Sequence, residues 1–133
     1  MIGSCKNDGR VGYLAMPIPN NWGVRIFNYM INGMIAPTKK GRKEIVRKYK
    51  RAMPNTSSTL VQEQIQTDAL YRIRALKAAE IHSKQKNGKT YVYQFNWESP
   101  VADGQLGALH ELDVPFVLNN LKISEPIIGD IAS

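Results

Sequence analysis

Apolar positions recur every three or four residues over most of this chain and alternate in one short run, and the change of period predicts its elements. Over 67–85, Leu70, Ile73, Leu76 and Ala79 or Glu80 fall on one helical face, with Thr67 or Asp68 as the cap and Asn87-Gly88 as the stop. Over 22–34, Val24, Phe27, Tyr29, Met30 and Ile31 fall at helical spacing, and Pro37 closes the run. Ile45, Val46 and Tyr49 give a basic helix over 40–52 its apolar side, and it stops before Pro54. Asn55-Thr56-Ser57-Ser58 reads as a loop ending in a cap for a short helix over 58–66. Tyr91-Val92-Tyr93-Gln94-Phe95 alternates β-branched and aromatic residues, so 90–96 is a strand.

The remaining segments are shorter. Residues 1–5 read as a strand end, followed by a Lys6-Asn7-Asp8-Gly9 turn. Met16-Pro17-Ile18-Pro19 excludes regular helix, because proline removes a donor and restricts its neighbour. Pro100, Gly104 and Gly107 make 99–107 a loop. A short helix is expected over 110–120, with Pro115 near its first turn, and 122–133 is weakly patterned with no closing helix.

Two strands separated by helices predict parallel pairing, with the intervening helices providing the crossover it needs. The expected architecture is a single helix-rich α/β domain with a small, mainly parallel sheet built from 1–5 and 90–96. A chain of 133 residues suits one core, and neither a repeat nor a linker divides it.

Composition narrows the class. With 43% hydrophobic and 22% charged residues the chain is expected to be folded and globular. No apolar run approaches the roughly 20 residues a membrane span needs. The start lacks a signal-peptide pattern, which predicts a cytoplasmic location. Cys5 is the only cysteine, excludes an internal disulfide, and reads as a buried small hydrophobe. The +7 net charge is concentrated, with eight of the eighteen basic residues lying in 39–51. Such a cluster suits phosphates, an acidic membrane surface or simply a solvated helix face. No zinc finger, RNA-binding signature or stacking platform accompanies it, so the solvated face ranks first and nucleic acid is disfavoured. No cluster has metal-ligand spacing and no glycine loop suits a phosphate, so neither metal nor cofactor is expected.

One histidine stands where chemistry is plausible. His110 lies in a loop after the predicted strand, behind the small residues Gly107 and Ala108, where an imidazole has reach. By itself a loop histidine is more often structural, and Asp8 before Gly9 is an ordinary turn residue. His82, late in the long helix, reads as a surface residue.

Four segments change that reading: Ile2-Gly3-Ser4-Cys5-Lys6-Asn7-Asp8-Gly9; Thr67-Asp68 leading into Tyr71-Arg72-Ile73-Arg74-Ala75; Tyr91-Val92-Tyr93-Gln94-Phe95; and Gly107-Ala108-Leu109-His110 with Asp113 and Pro115-Phe116-Val117. In this order they resemble the C-terminal part of type-B carboxylesterases, the α/β-hydrolase family of para-nitrobenzyl esterases and cholinesterases. Asp8 and Asp113 stand where that family usually shows glutamate. The resemblance implies the helix-rich C-terminal portion of an α/β-hydrolase fold, incomplete over 1–133. It implies catalytic roles for His110 as general base and acid and for Asp8 as its orienting carboxylate, with Asp113 supporting local structure. It implies no cofactor, a small-molecule ester as substrate of the complete enzyme, and a homo-oligomer or an upstream polypeptide as partner. The 133 residues contain no Gly-x-Ser-x-Gly, and Ser57, Ser58 and Ser83 lack the strand-to-helix turn that exposes a nucleophile. Inactivity of the chain alone is therefore expected. The competing expectation is a non-catalytic, hydrolase-derived binding module that uses 39–51 as its contact surface.

Overall fold

β1 (Ile2–Cys5) and β2 (Val92–Phe95) run side by side in parallel, with Ile2 opposite Val92 and Cys5 opposite Phe95. The computed structural model describes residues 1–14, 21–85 and 88–130. The expected proline break over 16–20 and the stop at Asn87 lie outside these described residues. The ladder closes at both ends, where the Ile2 amide donates to the Tyr91 carbonyl and the Lys6 amide to the Phe95 carbonyl, each at 2.9 Å. Gly3 permits this approach, since a Cβ there would stand 2.3 Å from the Tyr93 ring.

The crossover between the strands is helical. A 3-10 turn (Asp8–Arg10) and the short α1 (Val11–Leu14) lead towards α2 (Asn21–Ile35) and α3 (Lys39–Ala52). Thr38 caps α3 by accepting from the Gly41 amide, and Lys50 and Arg51 sit in its last turn, where the helix dipole favours cations. Ser57 caps α4 (Ser58–Gln66) by accepting from the Leu60 amide.

The long helix expected from Thr67 does not begin there. The helical chain of α4 runs on through a π-helical turn (Thr67–Arg72) into α5 (Ile73–Ser83). Thr67 is itself helical, at φ −52° and ψ −50°, so neither it nor Asp68 acts as a cap. Its hydroxyl accepts from the Gly9 amide instead. The Asp68 carboxylate takes Tyr49, Gln64 and Arg72.

The C-terminal region departs further from expectation. Instead of a helix over 110–120 there is a turn, then the single helical turn α6 (Val114–Val117). Glu111 at φ +65° and Asn119 at φ +53° interrupt helical geometry on either side. The closing segment does contain a helix, α7 (Leu121–Ile128), with Pro126 inside it. Ile128 is buried while Ile123 and Ile127 are exposed, so its apolar residues mark no single face.

The core is small and centres on α4. Val61 and Ile65 are buried, as are Cys5 of β1, Ala79 of α5, and Ala108 and Leu112 of the histidine loop. Among the described residues no helix is long and apolar enough to cross a membrane. The chain is therefore helix-rich, with a two-stranded parallel sheet, in keeping with an α/β class.

Candidate active site

The acid is built by the turn that ends β1. Asp8 is buried, and its Oδ2 accepts the Cys5 amide at 2.9 Å. Its Oδ1 lies 2.9 Å from His110 Nδ1, across 102 positions of sequence. Burial pushes the Asp8 carboxyl above its ordinary value, while His110 and the Cys5 amide act in the opposite direction. The turn rests directly on α4, and the Gly9 amide donates to Thr67 Oγ1 at 2.9 Å.

His110 is held by a clasp between the turn that follows β1 and the histidine loop. The Asn7 amide donates to the Ala108 carbonyl at 3.0 Å, and the Ala108 amide donates to Asn7 Oδ1 at 3.1 Å. Asn7 and Leu109 thus form an isolated parallel bridge that joins the chain just after β1 to the histidine loop, on the side away from β2. Gly107, at φ +57°, leaves room for it, since a Cβ would stand 2.8 Å from Asn7 Oδ1 and 2.4 Å from Arg10 Nη1.

Beneath the clasp lies a largely buried ion pair. Glu63 on α4 receives Arg10 Nε at 3.0 Å, Arg10 Nη2 at 3.1 Å and Asn7 Nδ2 at 2.8 Å. Arg10 Nη1 also reaches the Gln105 carbonyl, so one guanidinium ties the acid's turn to the histidine's loop.

His110 lines a cavity of about 290 Å³ together with Asp8, Leu70, Tyr71, Ser4 and Asp113. The Tyr71 ring lies 4.5 Å from the imidazole, centroid to centroid, tilted by 47°. With Nδ1 engaged by Asp8, Nε2 is the ring atom able to exchange a proton with a reacting group. Glu111, immediately after His110, holds the left-handed backbone conformation that disfavours a side chain.

Asp113 does not touch His110 by a hydrogen bond. It accepts from the Tyr93 hydroxyl and, at 3.6 Å, from Cys5 Sγ. That hydrogen bond, ahead of burial and the carboxylate charge, pushes the Tyr93 phenol up to about 12. Burial raises the Cys5 thiol to about 12, so it stays protonated and is no nucleophile. Ser4 lines the cavity but lies within β1, without the sharp turn that would present its hydroxyl.

The structure brings His110 and Asp8 together and leaves His82 apart, exposed and 2.8 Å from Thr90 Oγ1. Nothing in the sequence marks Asn7, Arg10, Glu63, Thr67 or Tyr71 as part of this site. Glu63 gives no local signal, since two positions from both Val61 and Ile65 it lies on the opposite side of the helix from that apolar pair and is nevertheless buried. Among the described residues no three His, Cys, Asp or Glu side chains converge as a metal site would. No protein-family model matches the chain.

Proposed function

We propose that these residues form the C-terminal, acid–base part of a serine carboxylesterase with an α/β-hydrolase fold, acting on a small carboxylic ester. The 2.9 Å contact between His110 Nδ1 and buried Asp8 Oδ1 carries the reading. Each residue follows the C-terminal end of one of two parallel strands, the end where open α/β sheets place their ligands. Asp8 fixes the tautomer with Nδ1–H, leaving Nε2 to take a proton from a serine hydroxyl as its oxygen attacks the ester carbonyl. The same atom then returns the proton to the leaving alkoxide. The serine and its oxyanion donors would come from a segment carrying Gly-x-Ser-x-Gly. The outer edge of β1 bears no strand among the described residues and offers such a segment, or a second copy of the chain, a place to pair.

The test is a hybrid in which residues 1–133 replace the corresponding region of an active type-B carboxylesterase, assayed on a short-chain nitrophenyl ester. Turnover is expected to fall by roughly a thousandfold or more with His110→Ala or Asp8→Asn. The pure chain is expected to show none. Hybrid turnover indifferent to His110 removes it from its role. Turnover by the pure chain that requires His110 means that the nucleophile lies within these residues and the reading is wrong.

A further inference from the structure

We propose that α2 and α3 together form a docking surface for an anionic lipid bilayer, lying in its interface. The starting observation is that part of α2 is turned apolar side out. Trp22, Ile26, Tyr29, Met30 and Met34 recur every three or four residues and are all more than half exposed, Trp22 at 70% and Met34 at 73%. Polar groups help to hold its other side, where Asn32 bonds Gln62 and Asn28 bonds Gln66, both on α4. Phe27 alone of the aromatics on α2 is withdrawn, packed against Gly12.

The basic helix lies next to this stripe. The Arg42 guanidinium sits over the Tyr29 ring at 5.4 Å, so one residue belongs to both the apolar and the cationic surface. A cleft of about 610 Å³ separates the helices, with Tyr29 and Val46 among its lining and Lys43, Arg47, Lys50 and Arg51 around it. These four cations are exposed and have no carboxylate within 4.0 Å among the described residues, and the one ion pair within α3 is Lys48 with Glu44.

The shape and charge of the surface select the occupant. Nucleic acid would satisfy the cations and leave Trp22, Ile26 and Met30 in water. An acidic peptide in the cleft would do nearly the same, because Tyr29 is the only member of the stripe that lines it. A second copy of the chain would bring two basic helices face to face. A bilayer interface covers a projecting stripe and supplies phosphates beside it. Lys and Arg stems lie along the acyl boundary with their heads at the phosphates, and an indole is suited to the same depth.

The test uses Trp97→Phe, which leaves Trp22 as the sole indole of the two in the chain. With vesicles of mixed phosphatidylglycerol and phosphatidylcholine, Trp22 emission should shift to the blue and the chain should sediment with the lipid. Vesicles of phosphatidylcholine alone should bind far less. Replacing Lys43, Arg47 and Lys50 with Gln should weaken binding by roughly a hundredfold. Trp22→Ser with Ile26→Ser in the otherwise unaltered chain should weaken sedimentation by at least about tenfold. The emission shift in the Trp97→Phe chain stands whether or not a further variant folds. Absence of vesicle binding at low salt overturns the proposal, as does binding without a shift in Trp22. Tighter binding to a short DNA duplex or to a soluble acidic peptide, with Trp22 emission unchanged, overturns it in favour of that partner.

Discussion

Gly9 rests directly on the backbone of Glu63, where a Cβ at position 9 would stand 2.5 Å from the Glu63 carbonyl oxygen. A backbone oxygen in a helix cannot swing away as the tip of a side chain can. The neighbouring turn carries Asp8, so any displacement of Gly9 is passed to the acid.

Gly9→Ala should therefore destabilise the chain by about 2 kcal/mol or more. Gly33→Ala, inside α2 with open space at its Cβ, should stabilise it by up to about 1 kcal/mol. Urea denaturation of the two variants gives the comparison, and equal effects would show that the close approach at Gly9 has no energetic weight.

The raised Asp8 carboxyl makes stability depend on pH in a definite direction. Its folded value lies above the ordinary 3.8, so the folded chain holds the proton more tightly than the unfolded chain. The stability linked to Asp8 is fully present below the unfolded value and is lost as pH rises through the folded one. The unfolding free energy of the unaltered chain minus that of Asp8→Asn should fall from about pH 4 upward. A difference that grows with pH would mean that the contact with His110 outweighs burial.

Cys5 should be inert while the chain is folded. Its thiol is buried and raised to about 12, leaving almost no thiolate near neutral pH. Labelling by a thiol-specific disulfide reagent should be slow in native buffer and should accelerate with urea in step with unfolding. Rapid stoichiometric labelling of the native chain would contradict the burial.

The open edge of β1 predicts self-association. With no strand on its outer side among the described residues, the two-stranded sheet leaves backbone groups available to a second copy. Light scattering over a dilution series should detect a dimer that dissociates on dilution. A monodisperse monomer at the highest concentration, unfolding cooperatively, would overturn this expectation.

Local periodicity and punctuation made much of the fold legible in the sequence. The basic helix, the Ser57 cap and both strands lie close to where apolar spacing, polar caps and prolines place them. The parallel pairing was legible because helices between two strands leave few other connections. His110 and Asp8 were legible only through the motifs around them, since a turn aspartate and a loop histidine are otherwise unremarkable. The clamp beneath them was not. Arg10 and Glu63 are 53 positions apart, and no local pattern announces a partner at that distance. The π-helical turn was hidden for a related reason. Thr67 resembles a cap in sequence, but a buried hydroxyl that accepts from Gly9 makes an unbroken helix the better use of it. Pro126 and the scattered isoleucines concealed α7, which is fixed by the buried Ile128 and by a hydrogen bond from Ser99 to the Ile127 carbonyl.

The span of 102 positions between His110 and Asp8 has a kinetic consequence. The helices between them can form from local contacts on fast timescales, but the acid–base pair requires closure of nearly the whole chain, with its entropic penalty. The pair should therefore assemble late in folding. It should also persist when β1, four residues long, frays from β2, because the Asn7–Ala108 bonds and the Arg10 contact with Gln105 hold the histidine loop to the turn of Asp8 without β2. Local opening of that clasp would separate Asp8 from His110 while leaving most of the helical content intact, so circular dichroism would be nearly blind to the event. Amide exchange at Asn7 and Ala108, whose N–H groups bond to the Ala108 carbonyl and to Asn7 Oδ1, would report it directly.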